Sequence, residues 1–189
     1  MRLALTLAAL LAAGGSATDA LRARDAEVRA ALPPAGKEPD AAARRRIEAI
    51  VTRTVDLRGM LEAALGPRWS RITEKQRRRL LAAFEKRFRA VGGAQLDDYR
   101  SAAIEYLPEE REGDRVRVPT RLTVKGETTP VAYLLRPEKG GWRIVDVVVD
   151  GVSTVGNYRA SFARVIAQEG VDGLAARLER GAAAPGHAP

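Results

Sequence analysis

The sequence contains no cysteine and a single histidine, His187, close to its C-terminal end. Without cysteine the chain forms no disulfide and offers no thiolate for catalysis, for a zinc site or for an iron–sulfur cluster. A histidine in a tail of Ala, Pro and Gly has few neighbours that could hold it in a fixed geometry. We therefore expect a protein that is not an enzyme and has no resident metal or cofactor.

Phosphate-binding loops and clustered acids are also lacking. Gly92-Gly93 and Gly140-Gly141 are not followed by the Lys-Ser/Thr pair that such a loop needs, and they do not link a strand to a helix. Asp146 and Asp150 lie near the end of a predicted strand, but without a third acid they make a weak metal site. As candidate nucleophiles, Ser70, Ser101, Ser153 and Ser161 have no base partner in the sequence.

The N-terminal residues are typical of a secretory signal peptide. Arg2 precedes an apolar run from Leu3 to Ala13, which is followed by small residues. This run is too short for a membrane span, which needs about 20 apolar residues. We predict a signal peptide over residues 1–17, with Ala20 as the second choice of cleavage site, and a periplasmic location for the mature protein.

The charge is strongly basic, with 32 Lys+Arg against 24 Asp+Glu and a formal net charge of +8. Export separates the protein from nucleic acid, and the cations of the basic helix predicted at 75–89 lie on its outer surface without aromatic residues interleaved among them for base stacking. Nucleic acid is therefore excluded as a partner. The charge indicates transient contact with anionic membrane surfaces or acidic proteins. The alternative is a solvated, arginine-rich surface.

Helical periodicity dominates the first hundred residues. Residues 18–40 contain three prolines and are predicted to form a flexible arm or a short frayed helix. Thr73 and Gln76 form a capping box at the start of a strongly amphipathic helix. The predicted helices are Asp40 to about Asp56, Leu57–Leu65 and Thr73 to Gly93.

From about Arg100 to Asp150 apolar and polar residues alternate, which is typical of strands. We predict four strands with short links, and such links force antiparallel pairing because a parallel return needs about a dozen residues. Pro119 and Pro130 each lack a ladder donor and are expected at an edge, a bulge or a strand start.

After residue 151 the helical period returns. Gly170 is predicted to end one helix, Asp172 to cap a last short one, and residues 181–189 to form a disordered tail. The fold class is thus α+β, a four-stranded curved antiparallel sheet with N- and C-terminal helices packed on one face. Inward positions are mostly aliphatic, so the interior either packs solid or encloses an apolar cavity. Periodicity does not separate these outcomes, and physics alone favours the solid core.

Three stretches in a fixed order carry a more specific signal. They are Asp56–Gly66 with Trp69 and Thr73–Gln76, then Trp142–Ser153, and finally Asn157–Arg159 with Glu169–Leu174. Behind a signal peptide, this combination resembles the MlaC family, also called the toluene-tolerance family of exported phospholipid-binding proteins. The resemblance extends over residues 45–179 and identifies 41–180 as an MlaC-like lipid-binding domain.

The resemblance implies a periplasmic carrier that shuttles a phospholipid between the outer and inner membranes. Its acyl tails would lie in an apolar cavity between sheet and helices, as cargo rather than as a cofactor. The implied partners are an inner-membrane ABC transporter complex with an MCE-domain subunit and an outer-membrane lipoprotein complex. The alternatives are an envelope interaction module with a solid core, a carrier of a polycyclic lipid such as a hopanoid and, more remotely, an unrecognised hydrolase.

The residues that the resemblance assigns to the tail cavity are apolar and fall on the inward faces of the predicted elements. For each of them the other role is plain core packing. Arg159 is expected to make a structural hydrogen bond or to steady the head-group end. The assigned residues are Leu61, Leu65, Trp69, Leu81, Phe84, Phe88, Tyr106, Val118, Tyr133, Val147, Val149, Val155, Phe162 and Ile166.

Overall fold

A computed structural model describes residues 15–34, 37–93 and 96–181. The helices are α1 Ala17–Ala31, α2 Ala41–Thr54, α3 Leu57–Leu65, α4 Glu74–Gly93, α5 Leu96–Ser101 and α6 Thr154–Glu179, with a 3₁₀ segment at Gly66–Arg71. The strands are β1 Ala103–Tyr106, β2 Glu110–Glu112, β3 Arg115–Val124, β4 Glu127–Glu138, β5 Gly141–Val149 and β6 Val152–Ser153.

The strands form one antiparallel, unclosed sheet in the order β1-β3-β4-β5-β6, and β2 pairs with β3 beyond the end of β1. The predicted antiparallel α+β fold is confirmed, but the count of four strands is wrong, because the described residues form six. The missed strands are the two shortest, and the three residues of β2 are all exposed. A strand without a buried face shows no alternation of apolar and polar residues.

The two prolines lie where the ladder is interrupted. Pro119 is inside β3, and its carbonyl accepts from the backbone N–H of Leu107 in the gap between β1 and β2. Its missing donor therefore faces the side of β3 on which pairing is broken. Pro130 pairs with Arg121 on one side, and beyond the end of β5 its carbonyl accepts from the N–H of Asp150.

Helices α1, α3, α4 and α6 pack on one face of the sheet and share one apolar core with it. The sheet contributes Val116, Val118, Leu135 and Ile144 to this core. A smaller cluster of Ala132, Leu134 and Val148 is separate from it. The core therefore lies between the helices and a single face of the sheet.

The segment predicted as a flexible arm or short frayed helix instead contains α1, a helix of 15 residues. Ser16 caps it, with its hydroxyl accepting from Asp19 N and its own N–H donating to the Asp19 carboxylate. The sequence interpretation misses this cap because it places Ser16 within the predicted signal peptide. Residues 1–14 of that peptide and 182–189 of the predicted tail lie outside the described residues.

Several predicted helix ends are confirmed. Asp40 caps α2, Thr73 and Gln76 exchange the hydrogen bonds of a capping box, and α3 has the predicted bounds. Gly170 breaks α6, since its φ of 71° lies in the left-handed region that glycine occupies without steric cost. The carboxylate of Asp172 accepts from Gln76 and Arg79 of α4, which ties the last part of α6 to that helix.

Candidate functional site

The sheet face beneath the helices consists of cross-strand rows of side chains, set by the antiparallel register. The first row is Val116, Leu135 and Ile144; the second is Val118, Tyr133 and Val147; the third is Tyr106, Thr120, Val131 and Val149; and the fourth is Ile104, Leu122 and Thr129. Because strand residues alternate between faces, these rows point toward the same layer.

Burial along this face is complete in the first row, mixed in the second and third rows, where Val118, Thr120 and Val131 are buried, and partial throughout the fourth. All three residues of the first row are buried, with exposures of 1–7%. In the second row Tyr133 and Val147 are only half-buried, although Tyr133 lies on the central strand β4. Every residue of the fourth row is half-buried. The space between sheet and helices is therefore tightly filled at one end and less completely filled at the other.

Apolar side chains that line an incompletely filled space can bind an apolar ligand. A central strand residue under a solid helical layer would be expected to reach full burial. Half-buried Tyr133 and Val147 therefore mark the part of the sheet where an apolar ligand would bury most additional apolar surface. Leu122 and Ile104 extend this surface, and sequence reasoning did not assign them, although the alternation in β3 identifies Leu122 as inward.

A polar cluster fixes α1 against the β1 edge of the sheet. Arg29 donates from Nε to the Asp25 carboxylate at 3.0 Å and from its terminal nitrogens to the carbonyls of Arg100 and Ala102. The hydroxyl of Tyr99 donates to the same carboxylate, and the Arg29 guanidinium lies 5.2 Å from the Tyr99 ring centre. These contacts hold α1 to α5 and to Ala102, the residue that precedes the strand carrying Tyr106.

The tyrosines near this cluster keep their protons well into the alkaline range. Burial, followed by the charge of Asp25, raises the pKa of Tyr106 to about 12. Burial also raises the pKa of Tyr99 and of Tyr133, with smaller contributions from Asp25. The Arg22 guanidinium lies 5.1 Å from the Tyr106 ring centre. This end of the layer therefore carries neutral tyrosines and a guanidinium beside apolar surface.

Sequence reasoning missed Arg22, Asp25 and Arg29, whose spacing of three and four residues puts them on one face of a helix. The signal was visible in the sequence, but it has meaning only once residues 18–31 are recognised as helical.

The structure brings all but one of the residues assigned from the resemblance into a single apolar cluster; Val149 lies on the same sheet face but outside it. Their burial differs. Leu61, Leu65, Phe84, Val118, Val155 and Phe162 are buried, and Trp69, Leu81, Phe88, Tyr106, Tyr133, Val147, Val149 and Ile166 are half-buried.

Phe84 is fully buried and packs edge-on against two aromatic rings of α6. Its ring centre lies 5.1 Å from that of Tyr158 and 6.3 Å from that of Phe162. These rings join α4 to α6 as core packing. Arg159 makes the structural hydrogen bond expected of it, donating from Nη2 to the carbonyl of Ala63 at 2.9 Å.

Asp146 has a structural role. One oxygen accepts from the N–H groups of Val147 and Val155, and the other accepts from the Ser153 hydroxyl. The carboxylate thereby fixes the start of α6 to the end of β5. Within 15–34, 37–93 and 96–181, no group of three or more His, Cys, Asp or Glu residues could hold a metal ion.

A separate groove of about 370 Å³ lies between α1 and the β4–β5 turn. Its cations are Arg24, Arg53, Lys139 and Arg143, and none of the residues assigned from the resemblance lines it. Glu27 pairs with both Arg24 and Arg53, which reduces the positive charge of the groove. In the part of the chain that the structure describes, no helix is long and apolar enough to cross a membrane.

Two comparisons place this architecture among known proteins. A family model described as MlaC protein matches residues 28–180. The structure of a phospholipid-binding protein from Ralstonia solanacearum, solved in complex with a phospholipid, superposes with a TM-score of 0.76 at 20% sequence identity. The match covers 89% of this chain and 97% of the other chain, and at this identity it shows a shared fold.

Proposed function

The chain belongs to the MlaC family, and on this premise we propose that it is a periplasmic carrier that binds a phospholipid and shuttles it between the outer and inner membranes. The observation that carries the proposal is the incomplete burial of the inner sheet face at Tyr133 and Val147, at the outer residues of the third row and throughout the fourth row. The shared fold with a phospholipid-bound protein supports it.

The acyl tails lie along the second to fourth rows of the sheet, between these residues and the helices. Each CH₂ group removed from water contributes about 0.8 kcal/mol, so two long tails are prohibitively unfavourable in the aqueous envelope and need a sheltered surface. Carriage of this kind requires no covalent chemistry. It requires apolar side chains that face a space open to the lipid.

The resemblance also supplies the donor and acceptor of the cargo. We propose that lipid is exchanged with an MCE-domain subunit of an inner-membrane ABC transporter complex and with an outer-membrane lipoprotein complex. A predicted signal peptide over residues 1–17 delivers the chain to the compartment between them, and its removal would take Ser16 and Ala17 from the start of α1.

Native mass spectrometry of the purified protein tests lipid binding, and the mass of the cargo distinguishes a phospholipid from a polycyclic lipid. We expect one phospholipid per chain. Val147→Trp fills the half-buried region of the second row and is expected to lower the lipid-bound fraction. Val152→Trp is the matched control, because Val152 is 52% exposed in β6 and the added volume extends into solvent.

A protein that carries no lipid under gentle conditions would favour the second candidate, an interaction module with a solid core. The fully buried first row and the packing of Phe84 against Tyr158 and Phe162 are the observations on that side. Equal lipid occupancy in the two Trp variants would contradict the proposed position of the tails.

A further inference from the structure

The corner at which α3 passes into α4 is rich in arginine and contains one of the two tryptophans. Arg68 and Arg71 are exposed on the 3₁₀ segment Gly66–Arg71, and Arg58 and Arg77 lie in the first turns of the two flanking helices. We call Arg58, Arg68, Trp69, Arg71 and Arg77 the Trp–Arg corner. None of these residues belongs to the polar cluster that holds α1.

Trp69 is flanked by two guanidinium groups. The Arg58 guanidinium carbon lies 5.9 Å from the indole ring centre, and that of Arg77 lies 5.5 Å from it. Arg77 is fixed there because its Nε donates to the Trp69 carbonyl at 3.0 Å. The indole is half-buried against the core cluster. It therefore combines an apolar body with two attached cations, next to solvent.

The positive charge of this corner is poorly neutralised. Elsewhere arginines pair closely with acids, as Arg79 does with Glu179 at 2.8 Å. Within the described residues, Arg58, Arg68 and Arg71 form no ion pair, and the acid nearest Arg77 is Glu74 at 3.7 Å. Glu62 is exposed on α3 and adds one negative charge to the neighbourhood. The corner is a local excess of cations around an aromatic ring.

We propose that the Trp–Arg corner docks this protein on the surface of an anionic phospholipid bilayer. Guanidinium groups match phosphate oxygens in a bidentate geometry, and indole rings favour the head-group level of a membrane, where one end is apolar and the other is wet. Each basic residue near an anionic leaflet strengthens the attraction to it. An acidic protein would be attracted by the same charge, but it would not require a tryptophan between the arginines.

This inference goes beyond the carrier proposal, since a surface can bind a bilayer whether or not the interior holds a lipid. The test is cosedimentation with vesicles of phosphatidylglycerol and phosphatidylcholine at low ionic strength. The double variant Arg68→Glu/Arg71→Glu is expected to bind the anionic vesicles roughly tenfold more weakly or worse. The matched control is Arg45→Glu/Arg46→Glu, which changes the net charge equally at exposed positions on α2.

A second measurement reads the position of the indole directly. Trp142→Phe leaves Trp69 as the sole tryptophan, and brominated acyl chains are expected to quench its fluorescence when anionic vesicles are added. In the complementary variant, Trp69→Phe, the remaining Trp142 is expected to stay unquenched. Circular dichroism is the measurement that tests whether each variant is folded.

Equal loss of binding in the two double variants would overturn the proposal, because it would assign the effect to overall charge. Absence of binding to anionic vesicles, or an unquenched Trp69, would also overturn it and would direct attention to an acidic protein partner. Native mass spectrometry of Arg68→Glu/Arg71→Glu separates the two proposals. We expect this variant to keep its bound lipid, so that a failure of docking is distinguishable from a failure of lipid binding.

Discussion

Gly59 is restricted to glycine by its neighbour Asp56. A Cβ atom at Gly59 would lie 2.2 Å from Asp56 Oδ2. The other oxygen of this carboxylate accepts from Gly59 N at 2.8 Å and caps α3, while Oδ2 accepts from Arg136 of β4 at 3.0 Å. One residue without a side chain thus permits a carboxylate to cap a helix and link it to the sheet.

Gly59→Ala is expected to destabilise the protein by about 1–3 kcal/mol, because the displaced carboxylate loses both its capping and its ionic contacts. The measurement is urea unfolding. Asp56→Ala removes the obstacle, so in that background Gly59→Ala should be neutral or slightly stabilising through its higher helix propensity. A loss of unfolding free energy in the double variant equal to the sum of the losses in the two single variants would contradict this account.

Stability should also depend on tyrosine ionisation. The pKa of Tyr106 is raised from 10.0 to about 12, and those of Tyr99 and Tyr133 are raised as well. Because the folded protein holds these protons more tightly than the unfolded chain, the stability that they contribute is complete below pH 10 and is lost as the pH rises toward 12. We expect the free energy of unfolding to fall between these values, with a shallower slope in Tyr99→Phe/Tyr106→Phe. An equal slope in that double variant would contradict the assignment.

Helix α1 is held by side-chain contacts with α5 and with the residues that flank β1 and β2. Arg29 joins Asp25 to the carbonyls of Arg100 and Ala102, and Thr18 donates to the Glu109 carboxylate from both its N–H and its hydroxyl. Only Ala17 and Leu21 of this helix are buried. Its attachment therefore rests on polar contacts more than on apolar area.

Arg29→Ala is expected to increase amide hydrogen exchange across α1 and β1 and to leave α4 and α6 unchanged. Arg29→Lys is the control for charge alone, since an ammonium group does not reproduce the fork that reaches Asp25 and two carbonyls together. We expect it to behave like the alanine variant. Normal protection of α1 in Arg29→Ala would show that the apolar contacts of the helix suffice to hold it.

The elements that could be predicted from the sequence are those with strong end signals or a buried face. Asp56 and Gly66-Pro67 delimit α3 at the predicted residues, and Gly170 breaks α6 where expected. β2 could not be predicted, because pairing with β3 forms it and its own residues are all exposed. α1 was missed because its cap, Ser16, lies in a stretch of small residues that also fits a cleavage site.

At the scale of the whole molecule, the sequence predicts which sheet residues point inward but not how much protein covers them. Val118 and Tyr133 are cross-strand neighbours with the same inward orientation, yet one is fully buried and the other is half-buried. This difference arises from packing between segments that are distant in sequence, which the alternation within one strand does not report. The family resemblance assigned residues across the whole inner face of the sheet. The burial of the cross-strand rows then distinguishes the first row, which is buried, from the fourth row, which is half-buried.

If the half-buried part of the inner sheet face is a lipid site, the bound lipid contributes to the stability of the whole molecule. A ligand that binds only the folded state stabilises it by RT ln(1 + [L]/Kd), about 2.7 kcal/mol at a hundredfold excess over Kd. For a chain of this size, removal of lipid should lower the melting temperature by roughly 5–10 °C. The measurement is calorimetry before and after extraction of the lipid and refolding.

Two variants separate this effect from core packing. Val147→Trp should melt at nearly the same temperature with and without extraction, because its indole occupies the space of the tails. Phe84→Leu should melt lower in both states by a similar amount, since Phe84 is fully buried and packs on Tyr158 and Phe162 of α6. A protein whose melting temperature is unchanged by extraction, with Val147→Trp as stable as the parent, would show that the half-buried rows hold no ligand.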